Sequence, residues 1–297
     1  MIPHKRLKAI QLKARIVLGN NGYLASLPVR PKQLANDLGI ELIPFDPPHA
    51  DISGCLMQVG NTFGIGYSTA IKNEGFQNFT VAHELGHYFI DDHPSALLAE
   101  GTHYSRSGYI CKDRFEQEAD AFAAELLMPW GLIAPLIRKS APGFPAIKAL
   151  ADSCESSLVA SAIRYCEVTD ECVATVVSHA GKVEFMTASN SFKQIPGIDW
   201  LRKREQIPFE VPTHRLSLDM EWVERGEIIQ EGSLLNQWFS GGAKQDVKED
   251  VVGLGSYGRT LTVLLTDAPP EEEDDENERG DDYIDRWNEG RFRSKNQ

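Results

Sequence analysis

His83-Glu84-Leu85-Gly86-His87, entered through Phe79-Thr80-Val81-Ala82, is the stretch whose reading decides the fold. On a helix, residues four apart lie one turn above each other on one face, so His83 and His87 can both reach a single metal ion. Glu84 stands beside them, where a carboxylate can act as general base towards a water at that ion. Val81, Ala82, Leu85 and Phe89 form an apolar stripe around the motif, and Thr80 is the expected N-cap. Gly86 costs about 1 kcal/mol of helix propensity relative to alanine. Its small size between the two histidines predicts that another backbone or the metal comes close. Two histidines on an ordinary surface helix are the bland alternative, and two histidines alone do not close a site.

A third ligand is offered by Phe115-Glu116-Gln117-Glu118-Ala119-Asp120-Ala121-Phe122-Ala123-Ala124-Glu125-Leu126-Leu127-Met128-Pro129. Ala119, Phe122, Ala123, Leu126 and Leu127 recur at helical spacing, and Pro129 ends the run. Glu116 shares the face of Ala119 and Ala123, so its carboxylate is expected on the buried side. Glu118 points elsewhere and fits an exposed acidic helix start favoured by the macrodipole. Glu116 is therefore the first choice of ligand and Glu118 an alternative. His93, six residues after His87, is another if the chain turns back there. Asp120, one turn after Glu116, is placed to accept the free ring N–H of a ligating histidine. His93, His103, Tyr104 and Tyr109 lie between the two motifs and are candidate donors to a developing oxyanion.

Taken together, Phe79 to His87 and Glu116 to Pro129 resemble the ImmA/IrrE family of metallopeptidases, and Leu34-Ala35-Asn36-Asp37-Leu38-Gly39-Ile40 and Ile52-Ser53-Gly54 fit its opening. The resemblance covers about residues 10 to 165. It implies a zincin-like domain in which His83, His87 and Glu116 hold zinc, with manganese as an alternative ion, and Glu84 is the catalytic carboxylate. It also implies a regulatory endopeptidase whose partner is a helix-turn-helix repressor, cleaved to release stress-response or mobile-element genes. One departure bears on substrate contacts: members commonly carry arginine before the Phe-Thr entry, and Glu74-Gly75-Phe76-Gln77-Asn78 has none.

With 297 residues, 42% of them hydrophobic, the chain can bury one large or two moderate cores. The N-terminus lacks an apolar signal core and no stretch approaches a membrane span, so neither a leader nor a membrane partner is expected. Five cysteines, none in a Cys-x-x-Cys pair, predict reduced thiols in a cytoplasm. A redox role for the Cys154 to Cys172 cluster competes with plain burial. The net charge of −13 is uneven: ten acidic side chains and Arg279 give residues 267 to 282 a balance of −9, leaving −4 elsewhere. Such a folded part has no nonspecific grip on nucleic acid, and the acidic stretch reads as a solvated tail. Within that tail, Tyr283, Ile284, Trp287 and Phe292 are spaced for a short amphipathic docking helix.

The expected fold class is α+β. A metallopeptidase domain over 1–142 has active-site helices and a small sheet; a helix pair follows over 143–170, a C-terminal α+β module over 171–267, and the acidic tail over 268–297. Helices are predicted over 5–18 and 31–39, a strand over 40–44, and a hairpin over 54–59 and 62–67 turning at Gly60-Asn61. That hairpin is expected to present the edge strand that aligns a peptide. The helix pair, 145–152 and 157–168, resembles a helix-turn-helix, but its second helix offers a single basic residue. Period-two runs over 172–178, 183–187, 247–256 and 259–266, with a helical stretch over 232–239, suggest a GAF-like sensor module able to enclose a small ligand. Competing readings are a non-catalytic metal-bound scaffold that sequesters a repressor, a DNA-binding regulator, and a non-haem iron oxygenase. The oxygenase triad also uses two histidines and a carboxylate but needs no glutamate after its first histidine.

Overall fold

The computed structural model describes residues 2–46, 52–99, 101–106 and 113–267. Tyr109, Cys111 and the acidic tail, with the docking helix expected in it, lie outside the described residues. The helices and strands divide into two units, one within Met1–Pro135 plus Asp152–Ser157, the other within Leu136–Ala151 plus Leu158–Gln297.

The first unit opens with helices α1 (His4–Asn20) and α2 (Pro31–Asp37), followed by strands β1 (Glu41–Phe45), β2 (Ile52–Val59) and β3 (Thr62–Ser68). Helix α3 (Glu74–Phe89), the short α4 (His93–Leu97), strand β4 (Thr102–Arg106) and helix α5 (Arg114–Leu127) complete its frame, and α6 (Trp130–Lys139) leads out of it. The sheet order is β1-β3-β2-β4; β1 runs parallel to β3, and the other two pairings are antiparallel. Gly60, at φ +61°, makes the turn that joins β2 to β3. The expected hairpin is therefore present, but its edge role is not. Both of its strands are paired on two sides, and among the described residues the edge beside β2 belongs to β4, a strand that the sequence pattern does not predict.

Helix α3 packs against β2 and β3 on one side and against α5 on another, and α1 covers α5. Val81, Ala82, Leu85, Ala119, Phe122, Ala123 and Leu126 are fully buried between these elements. Truncating one such leucine costs about 2–5 kcal/mol. The N-cap of α3 is Asn73, whose side chain accepts from Phe76 N at 3.0 Å, and not Thr80. Thr80 lies inside the helix and donates its hydroxyl to the Phe76 carbonyl. The helix thus begins about two turns earlier than the apolar stripe implied, because Asn73 satisfies an end N–H that Thr80 cannot reach.

In the second unit, α7 (Phe144–Cys154) and α8 (Leu158–Val168) precede strands β5 (Val173–His179) and β6 (Lys182–Ala188). Short helices α9 (Asn190–Lys193), α10 (Pro212–Leu218) and α11 (Met220–Arg225) lead to β7 (Ile228–Leu234), α12 (Leu235–Trp238), β8 (Asp246–Gly253) and β9 (Arg259–Leu265). The sheet is antiparallel throughout, in the order β6-β5-β9-β8-β7. The helical stretch expected over 232–239 is mostly short: Ile228 to Leu234 pair with β8 instead, and only Leu235–Trp238 is helical. Phe192, Trp238, Phe239 and Leu264 fill one core cluster, and Trp222, Val223 and Val251 another. The fully buried Glu249 accepts from Thr213 N and Oγ1, Ser233 Oγ and Trp238 Nε1, at 2.6–2.9 Å. Four donors offset the desolvation of its carboxylate. In α8 the single basic residue, Arg164, is 2% exposed, so this helix presents no cationic face to a phosphate backbone. Among the described residues no single helix is long and apolar enough to cross a membrane.

Candidate metal centre

Helical period and close packing together build the site. His83 and His87 project from one face of α3, and their Nε2 atoms stand 3.0 Å apart. Helix α5 starts at Asp113, whose carboxylate caps Phe115 N. Glu116 and Asp120, one turn apart on α5, therefore share the face that meets α3. The approach depends on Gly86, where a Cβ would sit 3.0 Å from Ala119 Cα and 3.1 Å from its carbonyl oxygen. Glu116 Oε2 lies 3.2 Å from His83 Nε2, and its Oε1 lies 3.4 Å from His87 Nε2. Ligand atoms of His83, His87 and Glu116 all lie within 4.8 Å of one another.

The outer ring nitrogens fix which lone pairs face inward. Asp120 Oδ1 is 2.8 Å from His83 Nδ1, and a carboxylate only accepts, so Nδ1 carries a proton and Nε2 is the nitrogen that faces inward. His87 Nδ1 meets His93 Nδ1 at 3.0 Å, leaving its Nε2 on the inner side as well. Two inward Nε2 atoms and a carboxylate thus converge, an arrangement that suits a cation.

Electrostatics agree with that demand. Burial works against a charged His83, but its bonds to Asp120 and Glu116 outweigh burial and raise its pKa to about 10. His87 is pushed down to about 3 by burial, with the positive charge of His83 adding to the effect. Glu116 is buried too, yet the hydrogen bond from His103 and the contact with charged His83 hold its carboxyl far below the usual carboxylate range. In the ion-free cluster a proton on His83 takes the place of positive charge at the focus.

Glu84 is fully buried, and among the described residues neither of its carboxylate oxygens has a hydrogen-bond partner. Burial raises its pKa to about 7, against the attraction of His83. It is held against β2 by Gly54, where a Cβ would fall 2.6 Å from Glu84 Oε1. A buried, unpartnered carboxylate beside a cation-seeking cluster suits a proton acceptor that is completed only when water and substrate arrive.

The remaining candidates separate cleanly. His103, on β4, reaches the cluster, with Nε2 2.9 Å from Glu116 Oε1. Tyr104, the next residue along the strand, alternates to the other face and is 55% exposed. His93 faces the outer nitrogen of His87 and not the convergence point. Glu118, expected to be exposed, is completely buried. It pairs with Arg6 at 2.5 Å and His93 at 3.1 Å, away from the three-residue cluster. Counter-charges from α1 and from its own first turn make that burial affordable, and neither was visible from the spacing within α5. The sequence assigns no site role to Arg6, Arg114 or Gly54, the last of which stands in the Ile52-Ser53-Gly54 stretch and begins the predicted hairpin. For Gly54 the physical signal is a glycine inside a strand that faces the motif helix.

Two facing helices with an HExxH motif, a glutamate from the second helix and a small mixed sheet define a zincin-like domain of metallopeptidase type. Residues 35–142 match the family model described as IrrE N-terminal-like domain, Peptidase_M78. A solved structure of a Mycobacterium tuberculosis transcriptional regulator is similar in fold, with 13% identity and a TM-score of 0.57 over 87% of this chain and 76% of that one. None of the curated proteins compared matches the chain significantly.

Proposed function

We propose that the protein is a zinc-dependent endopeptidase with a regulatory role. Its protein substrate, on the strength of the family resemblance, is a helix-turn-helix repressor. The observation that carries the hydrolytic reading is Glu84, buried, unpartnered and adjacent to the cluster. An iron oxygenase triad has no use for such a carboxylate. His83 Nε2, His87 Nε2 and Glu116 are the atoms and side chain that would hold the ion. Zinc bound there supplies a Lewis acid that polarises a carbonyl and lowers the pKa of water at the site.

The protein's own groups do the rest. Glu84 takes the proton of the attacking water on a carboxylate oxygen and passes it to the departing amide nitrogen, a role suited to a group whose pKa lies at about 7. His103 Nε2, at the rim of the cluster, is the donor assigned to the carbonyl oxygen. The open edge of β4, which carries His103, aligns the substrate backbone by strand addition. The second unit, with its five-stranded sheet and flanking helices, is proposed as the signal-sensing part.

The test incubates the zinc-loaded protein and its Glu84→Gln variant with the helix-turn-helix repressor encoded nearest its gene, and sequences the products. The expected result is a defined cut by wild type and none by the variant, which still binds zinc. An intact repressor with wild type, together with derepression by Glu84→Gln, would establish the scaffold reading in its place.

A further inference from the structure

Behind His87 lies a buried polar chain that the proposed hydrolysis does not itself use. His93 is 0% exposed, with Nδ1 3.0 Å from His87 Nδ1 and Nε2 3.1 Å from Glu118 Oε2. Glu118, also 0% exposed, is gripped by Arg6 Nε at 3.1 Å and Nη2 at 2.5 Å, and Arg114 Nε lies 3.0 Å from its other oxygen. Asp92 closes the group, paired with Arg6 at 2.6 Å and with Arg114. By distance alone Asp92, His93 and Glu118 could hold a second metal ion. Two guanidinium groups already neutralise the two carboxylates, so a second cation would have to expel an arginine.

The chain has a direction. With both arginines against it, Glu118 is an ionised carboxylate and can only accept. His93 must therefore carry its proton on Nε2, which leaves a lone pair on Nδ1. That lone pair can only be met by a proton on His87 Nδ1, and His87 Nε2 is then bare towards Glu116. The charge pattern around Glu118 is thus transmitted through two rings to the inward nitrogen of a candidate ligand.

We propose that His93, anchored by Glu118 and by Arg6 of α1, is a positioning residue that locks the tautomer and ring orientation of His87 so that Nε2 is presented to the metal. The inference rests on the metal-site reading above. Its consequence is that α1, through Arg6, is part of the metal site although it supplies no ligand.

Two measurements on the full chain test it. The first is zinc affinity, by competition with a chromophoric chelator, for wild type, His93→Leu and His93→Asn. Loss of an outer hydrogen-bond partner weakens metal binding by about 10- to 100-fold. That loss is expected for His93→Leu, with partial recovery in His93→Asn, whose Oδ1 can stand in for Nδ1. The second is the ¹⁵N spectrum of histidine-labelled wild type, which needs no variant to fold and which a merely space-filling His93 would not influence. It should show His87 protonated on Nδ1 both without metal and with zinc. Unchanged zinc affinity in a folded His93→Leu variant overturns the proposal, as does a proton on His87 Nε2 in the metal-free protein. If wild type takes up no zinc, the hydrolase reading fails, and the relay is then judged on the metal-free spectrum alone.

Discussion

Gly54→Ala is the most informative single substitution the site offers, because it pushes on Glu84 without touching any of the three converging side chains. The added methyl would sit 2.6 Å from Glu84 Oε1, 2.6 Å from Thr80 Cγ2 and 3.3 Å from Glu84 Cδ. Carbon contacts settle at about 3.5–4.0 Å, so either β2 or the Glu84 carboxylate must retreat by roughly 1 Å. Overpacking of this kind costs about 1–3 kcal/mol of stability. A catalytic group displaced by about 1 Å costs on the order of 100-fold in rate. Urea denaturation, zinc content and the rate of repressor cleavage report the three consequences separately. The expected outcome is a folded, zinc-loaded protein of lowered stability whose cleavage is slower by that factor. Undiminished cleavage would refute the placement of Glu84 as the proton carrier held by the wall of β2, and loss of zinc with cleavage lost in proportion would show that the strand supports the ligands instead.

Two further outcomes follow from burial. Glu84 has its pKa raised from 4.5 to about 7, so in the metal-free protein its ionisation opposes folding. The penalty is absent below the unfolded value, grows as pH rises and is complete above about 7, at about 3 kcal/mol. Urea melts of metal-free Glu84→Gln should therefore gain on wild type by that amount between about pH 4 and pH 8, and a pH-independent difference would contradict the burial assigned to the carboxylate. Cys55, Cys154, Cys166 and Cys172 are all buried, and burial raises the thiols of Cys55 to about 11 and of Cys166 and Cys172 to about 12. At pH about 8 the thiolate fractions of Cys55, Cys166 and Cys172 fall to about one in a thousand or less, so an aromatic disulfide reagent should leave these three thiols unreacted until urea is added. Rapid labelling of Cys166 or Cys172 in the folded protein would revive a redox role for that cluster.

Why parts of this structure are legible in the sequence and others are not comes down to the range of the interactions that create them. The pairing of His83 with His87, and of Glu116 with Asp120, is set by one helical turn, and Gly86 announces the close approach of α5 by its lack of a side chain. These are local geometry, and periodicity reads them. Strand β4 is five residues long, Thr102-His103-Tyr104-Ser105-Arg106, and is defined by pairing with β2 some fifty residues away. Its edge position is a property of sheet order, which no window of sequence contains. For the same reason the pattern of the sequence places the edge on the hairpin and not on β4.

The two glutamates of α5 make the point most sharply. A ranking by helical face put Glu116 inside and Glu118 outside, yet the Glu116 side chain is 13% exposed and that of Glu118 is 0%. Burial alone would therefore pick the wrong carboxylate for the cluster. What separates them is the partner that each finds: Glu116 meets the inward ring nitrogens of His83 and His87, whereas Glu118 meets Arg6, 112 residues earlier in the chain, and Arg114. A buried acid whose charge is matched by guanidinium groups is part of a scaffold, whereas one set among imidazoles shares its site with groups that can ligate a metal. Because the matching cation of Glu118 arrives from α1, the distinction exists only after the chain has folded. The same cation, acting through His93, then bears on how His87 is presented.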